Sequence, residues 1–310
     1  HRLPNCLCSW RAALQRFRGL KMELDPRSDQ TKYWKVFLTF ARNSLVRDMT
    51  FRTNFVLQCI SSLGWTLMNV GFYLIIFQYT TSIGADSGWD RDKFFLFIAT
   101  TWFINSLVQT FFMPNAEEFS ELIRTGGLDF ALLKPIDTQF LISFRRVDWS
   151  ALSNFAAGFM IALVALYSLA TRQVDPMTPS ILSIVLYIFF VACGVTIMYS
   201  LMICLSATSI WLGRNQTLYN FWFYITNFSR YPMEIYNRGW GRPLYGFFTF
   251  IIPVLLVVNI PARILAKPIS PQTWEDQLLI VWGLAATLLS LWISRWVFKR
   301  ALLSYRSASS

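Results

Sequence analysis

Seventeen carboxylates and one histidine are the side chains of this 310-residue chain that could move protons or hold a metal ion. The histidine is His1, so an H-E-x-x-H metalloprotease site is excluded. The carboxylates, from Glu23, Asp25, Asp29 and Asp48 through Glu234, Glu275 and Asp276, read as lying in polar connections. None falls inside six apolar stretches that are each long enough to cross a bilayer. A charge at the bilayer centre costs at least about 2.5 kcal/mol, and ion-coupled carriers keep one there as a relay or ion ligand. Its absence points to an energy source outside the spans. No acid–base pair marks a membrane enzyme. Cys59, Cys193 and Cys204 lie in spans, where a free thiol behaves as a small apolar group. Cys6 and Cys8 have no second ligand pair, so no metal site is expected. The sequence holds no G-x-x-x-x-G-K-[ST] loop for cradling ATP.

The elements around these residues are apolar helices. With 55% hydrophobic and only 15% charged residues, the chain has material for spans and short connections but none for a soluble catalytic domain. The expected fold is all-α and polytopic. A net charge of +11 suits nucleic acid only if the basic residues form a face. Here Lys and Arg flank apolar runs, so no nucleic-acid partner is expected and the charge sets membrane orientation. Residues 32–49 carry Trp34, Phe37, Leu38, Ala41, Leu45 and Met49 at helical spacing, with Lys35, Arg42 and Arg47 on other faces. That pattern predicts an amphipathic helix on the membrane surface or packed on a partner.

Spans are expected at about 54–77, 94–113, 149–170, 180–209 and 278–298. The stretch 215–267 leaves two readings open. In one, 215–236 spans and 244–265, broken by Pro253 and Pro261, is a re-entrant hairpin. In the other, 244–265 is the fifth span and Arg230, Arg238 and Arg242 stay cytoplasmic, as the positive-inside bias prefers. Basic residues before the first span, at Arg124, Lys134, Arg145, Arg146 and Arg214, and from Arg295 to Arg306 place both termini in the cytoplasm. Residues 1–30 read as an N-terminal segment, with Met22 a candidate initiator and residues 1–21 dispensable. Residues 31–306 form one membrane domain, and 307–310 are a tail.

The longest polar connection, 114–148, has the most local pattern. Glu117 and Glu118 fall in the first turn of a helix whose face carries Phe119, Leu122 and Ile123, and Arg124 closes it. Gly126 and Gly127 predict a left-handed corner. Asp129 then caps a second turn through Leu133, which Lys134 and Pro135 end. Two short amphipathic helices joined at glycine make a knob suited to a soluble partner; the alternative is an ordinary loop folded back on the bundle.

Four motifs carry a family resemblance: RTGGLDFALLKP at 124–135, RYPMEIY at 230–236, FIIPV at 250–254 and NIPAR at 259–263. Over about residues 34–305 the chain resembles ABC-2-type permeases of bacterial ABC exporters, in the group of multidrug or viologen export permeases. The resemblance implies six transmembrane helices, an elbow helix at the start, and a coupling helix that docks an ATPase. Residues Glu117, Glu118, Phe119, Leu122, Ile123, Arg124, Gly126, Gly127, Leu128, Asp129, Lys134 and Pro135 would form that coupling element. It also implies a re-entrant region that begins at Tyr231 and Pro232 and includes Pro253, Pro261 and Arg263, which favours the first reading of 215–267. By the same resemblance the chain binds no cofactor itself. ATP and Mg belong to separate ATPase subunits, a second permease half completes the pore, and the assembly sits in a bacterial inner membrane. The substrate would be hydrophobic or amphipathic and would leave the cytoplasm or inner leaflet. The aromatic residues Trp211, Tyr219, Trp222 and Tyr224 either line its path by cation–π contact or form an interfacial belt. An ATP-independent channel or carrier, the rival class, needs a polar filter, for which the spans offer Asn69, Asn105, Gln109 and Asn154.

Overall fold

The computed structural model describes residues 33–84, 88–173, 176–212, 216–267 and 274–305, with the backbone alone at 216–220 and 274–276. The expected N-terminal segment with Cys6, Cys8 and Met22, the tail 307–310 and Arg214 lie outside the described residues. The chain divides at Thr39. Residues 33–39 are the described part of one unit, where Trp34 and Phe37 pair their rings at 5.6 Å. Phe40–Ser310 form the other unit, which holds the second half of the first helix and every later element.

Helix α1 (Tyr33–Thr50) matches the expected amphipathic segment. Its second half is held to the stretch before the third span. The Val147 amide donates to Ser44 Oγ at 3.1 Å, and the Trp149 indole donates to the Ala41 carbonyl at 3.1 Å. After it come α2 (Arg52–Tyr79), α3 (Arg91–Phe111), α4 (Met113–Arg124), α5 (Gly127–Leu132), α6 (Thr138–Phe144), α7 (Leu152–Ala170) and α8 (Ile181–Ala207). The chain continues through α9 (Ser209–Leu212), α10 (Gln216–Asn227), α11 (Arg242–Gly246), a π-helical turn Phe247–Ile251, α12 (Val254–Ala266) and α13 (Trp274–Ser304). No strand occurs among the described residues.

Helix α3 forms the centre. Phe94, Leu96, Phe97, Ala99 and Ile104 are fully buried, and α7, α8 and α12 pack around it. Small residues set the closest crossings, as in membrane bundles generally. A Cβ on Gly158 would lie 3.3 Å from the Ala99 carbonyl oxygen, and one on Gly194 only 2.6 Å from that of Val257. By contrast, α2 turns nearly all its apolar side chains outward, as a helix facing lipid does.

Among the described residues, five helices are long and apolar enough to cross a membrane: α2, α3 running on into α4, α7, α8 running on into α9, and α13. Residues Gly239–Ile251 and Val254–Ala266 would together make a sixth, but they meet at 87°. Helix α10 has 12 residues, or about 18 Å of rise, short of a hydrocarbon core of about 30 Å. Neither 215–236 nor 244–265 is therefore a straight span. The break has a local cause: Ile252 is extended, and Pro253, which lacks an N–H, restarts the helix. Two helices also begin earlier than their hydropathy indicates. Asp92 sits buried in the first turn of α3 and accepts from Ser168 Oγ at 2.8 Å, and Glu275 and Asp276 fall in the first turn of α13. Carboxylates at a helix N-terminus gain from its dipole, so the spans absorb acidic residues at their ends without holding one at mid-depth.

The bundle has two distinct ends. The far end carries the connection from α2 to α3, where Arg172 pairs with Asp90 at 3.0 Å and Lys267 lies 4.6 Å above the ring of buried Trp89. The other end carries α4 to α6.

Candidate functional site

The knob at that second end grows out of α3. Arg91–Arg124 runs as one 34-residue rod past Phe112, and Pro114 stands at the start of α4, where a missing N–H costs little. Asn115 ties the junction to the next connection. Its Nδ2 donates to the Phe111 and Arg146 carbonyls at 2.8 and 2.7 Å, and its Oδ1 accepts from the Arg146 amide at 2.8 Å. The corner takes positive φ at Gly126 alone, at 72°. Gly127 is instead the first residue of α5, where a Cβ would press on the Leu122 side chain at 2.9 Å. Asp129 lies inside the first turn of α5, and Gly126 holds the capping position.

The apolar face of the knob divides in two. Phe119 and Leu128 are fully buried and join Leu141, Ile142, Ile203 and Phe298, so they hold the knob to the bundle. Leu122 and Ile123 are half-buried, while Phe130 and Leu133 remain 72% and 82% exposed. Glu117, the Glu121–Arg124 ion pair, Lys134 and Pro135 are exposed on the same segment. A cavity of about 160 Å³ opens beside them, lined by Glu118, Leu122, Gly127, Lys134 and Arg145, with Glu118 and Arg145 paired at 3.4 Å.

Helix α6 supports the knob, and its start is locked to the last span. Asp137 caps α6 by accepting the Phe140 amide at 3.0 Å. Arg295 of α13 grips the same carboxylate with both terminal nitrogens and donates at 2.9 Å to Gln139 Oε1. The guanidinium holds the Asp137 carboxyl below its usual range, outweighing partial burial. Ser143 and Gln139 reach the Tyr199 hydroxyl of α8 at 2.9 and 3.1 Å. The sequence offered Arg295 only as an orientation signal. A charge pair 158 residues apart leaves no local pattern.

The re-entrant residues sit at the far end. The Met233 amide donates to Asn259 Oδ1 at 2.8 Å, which pins the turn after Tyr231 and Pro232 against α12. Glu234 accepts from Arg263 and Lys267, each at 2.9 Å. Burial raises the Glu234 carboxyl, but the two cations outweigh it and the net shift is downward. Because Lys267 also covers Trp89, residues 231–235 share the end of the α2–α3 connection, opposite the knob. The reading that left Arg230 and its neighbours on the knob side is therefore not the one this geometry follows. Pro261 is buried within α12, and the Trp282 indole donates to the Thr249 carbonyl at 2.8 Å, closing the bent segment onto α13.

The aromatic residues of the expected path differ in exposure. Trp211 and Tyr224 are exposed, Trp222 is buried, and the Tyr219 side chain lies outside the described residues. The four amides that looked scattered do converge: Asn69, Asn105, Gln109 and Asn154 line one cleft together with Tyr73 and Arg230.

A helical multi-pass bundle with a knob rooted in its central helix defines an all-α polytopic membrane protein. Residues 63–309 match the family model described as ABC-2 family transporter protein, so the chain belongs to the ABC-2 family and is a permease of an ABC transporter. Membership brings association with the membrane and with an ABC ATPase, and makes the chain a transport subunit without catalysis of its own. Comparison with curated proteins and with solved structures returned no match.

Proposed function

We propose that this chain is the membrane-spanning subunit of an ATP-driven exporter that moves a hydrophobic or amphipathic substrate out of the cytoplasm or inner leaflet. The observation that carries this reading is the knob: Phe130 and Leu133 stand exposed past the corner that ends a rod continuing the most buried of the five long spans. Exposed apolar residues rimmed by charge mark a protein-binding surface. An ATPase groove that takes the knob would transmit closure of the ATPase dimer through Asp137 and Arg295 into α13. Access to a path between this chain and a second permease half, identical or not, would then switch. ATP and Mg would be bound by the ATPase and not here. The knob end and both termini would face the cytoplasm of a bacterial inner membrane.

Replacing Phe130 and Leu133 with Asp is expected to leave membrane insertion intact and to lower co-purification with the partner ATPase by about ten-fold, as loss of two interface anchors does. Normal co-purification and transport by the double variant would remove the docking assignment, whereas transport with no ATPase bound would favour an ATP-independent channel or carrier. The sidedness is testable separately. With the native cysteines replaced, Asn237→Cys is expected to react with an impermeant thiol reagent added to intact cells. Labelling only after the membrane is opened would reverse the orientation.

A further inference from the structure

The cleft between α2, α3 and α7 runs along the bundle. On α3 it follows Gln109, Asn105 and Thr101 to Ile98, positions four, four and three apart on one face, which is about 16 Å of helix rise. On α2 it follows Thr66, Asn69 and Tyr73. Its free volume is about 110 Å³. Asn154 closes the knob-side floor by accepting from Ser62 Oγ at 2.6 Å and Thr66 Oγ1 at 3.3 Å. Asn69 spends its Nδ2 on the Trp65 carbonyl at 2.8 Å, leaving its oxygen open. Among the described residues, the Asn105 and Gln109 side chains make no hydrogen bond. Amides that face hydrocarbon without partners are costly, so this stripe calls for a polar occupant.

Charge narrows the occupant. Arg230 is the one charged residue lining the cleft, no carboxylate lines it, and among the described residues Arg230 has no ion-pair partner. Its guanidinium lies 5.5 Å from the Phe223 ring, with the Tyr73 and Tyr231 hydroxyls nearby. A cationic ligand would meet like charge at this exposed guanidinium, whereas an anion would give it a charge-assisted hydrogen-bonding partner.

We infer that this cleft seats an anionic amphiphile, with its acidic group on Arg230, its hydrogen-bonding groups on the amides of Asn69, Asn105 and Gln109, and its apolar body toward lipid along α2. The inference rests on the transport reading above, since it names the substrate class. A bilayer phospholipid and a free amphiphile share this chemistry.

The test uses the full chain without ATPase, in nanodiscs of zwitterionic phosphatidylcholine, and a dansyl-labelled fatty acid read by energy transfer from Trp65 and Trp102, which flank the cleft. Wild type is expected to bind the acid and to ignore a dansyl alkylamine of equal length. Arg230→Gln should weaken binding about ten- to hundred-fold, the worth of one charged hydrogen-bonding partner, and Arg230→Lys should recover most of it. Asn105→Leu with Gln109→Leu should weaken binding while the protein elutes as wild type. Phosphatidylglycerol that displaces the probe would identify the occupant as a lipid; failure to displace it would identify a free amphiphile, and both outcomes support the proposal. Equal binding of acid and amine, or unchanged binding by Arg230→Gln, would overturn it. So would a double-leucine variant that alters oligomeric state without altering probe binding, since the cleft would then be a seam between subunits. ATPase co-purification separates the two readings: a wild-type chain that pairs with its ATPase but does not bind the acid defeats the cleft assignment alone, and a wild-type chain that binds the acid but pairs with no ATPase defeats the exporter assignment alone.

Discussion

Arg295→Ala is expected to uncouple the knob from the last span, leaving a permease that inserts and still binds its ATPase but transports at about a tenth of the wild-type rate or less. Hydrogen bonds to charged groups contribute about 1.5–3 kcal/mol when shielded. Here the side chains are 43% and 31% exposed, and solvent screening reduces the pair to about 1–2 kcal/mol. Asp137→Ala should cost more, because it also removes the cap of α6, worth about 1 kcal/mol. Exchanging the two charges in Asp137→Arg with Arg295→Asp should restore part of the coupling but not the cap. Transport per ATP hydrolysed in proteoliposomes reads the effect, and wild-type coupling in Arg295→Ala would show that the clamp is only structural. The pH dependence has a definite sign. Arg295 depresses the Asp137 carboxyl below its reference of 3.8, so its contribution is present in full above that value and fades as pH falls through the lower folded value. Thermal unfolding of wild type should lose this increment only in strong acid, and Asp137→Asn should lack it at neutral pH.

Gly194→Val is expected to abolish the folded protein. A Cβ there would stand 2.6 Å from the Val257 carbonyl oxygen and 3.2 Å from the Ile104 and Val257 side chains. The nearest atom is backbone and cannot turn aside, so α8 and α12 must separate and Asn259 and Met233 lose their register. Overpacking alone costs about 1–3 kcal/mol, and Gly194→Ala should already show the upper part of that range as a lower unfolding temperature in detergent. Gly283→Ala is the control. The atom its Cβ would strike is the terminal methyl of Ile260, a flexible side-chain end that can rotate away. Equal stability of Gly194→Ala and wild type would mean that the crossing is looser than described.

What the sequence disclosed followed from short-range physics. Apolar length gave α2, α3, α7, α8 and α13, and Gly126 announced its left-handed turn because no side chain competes for that conformation. Amphipathicity marked the apolar face of α4 and α5 but could not say that Phe119 and Leu128 would be covered by Phe298 and Ile203 while Phe130 and Leu133 were left bare. Pro253 signalled a break without its 87° angle, which depends on how α12 packs against α8. Asn69, Asn105, Gln109 and Asn154 looked unrelated because each sits on a different turn or helix, and only the bundle stacks them. The Asp137–Arg295 clamp was hidden for the same reason.

The rod Arg91–Arg124 has a further consequence as simple mechanics. Its 12 residues below Phe112 measure about 18 Å, and its 21 residues above measure about 31 Å. Asn115, gripping the Arg146 backbone from two sides, stands where a fulcrum belongs. A rod that pivots there has unequal arms, about 14 Å to Arg124 and about 36 Å to Arg91, so a push of about 2 Å at Arg124 swings the opposite tip, beside Trp89 and Lys267, by roughly 5 Å. The stroke delivered at the knob can therefore be shorter than the opening it produces.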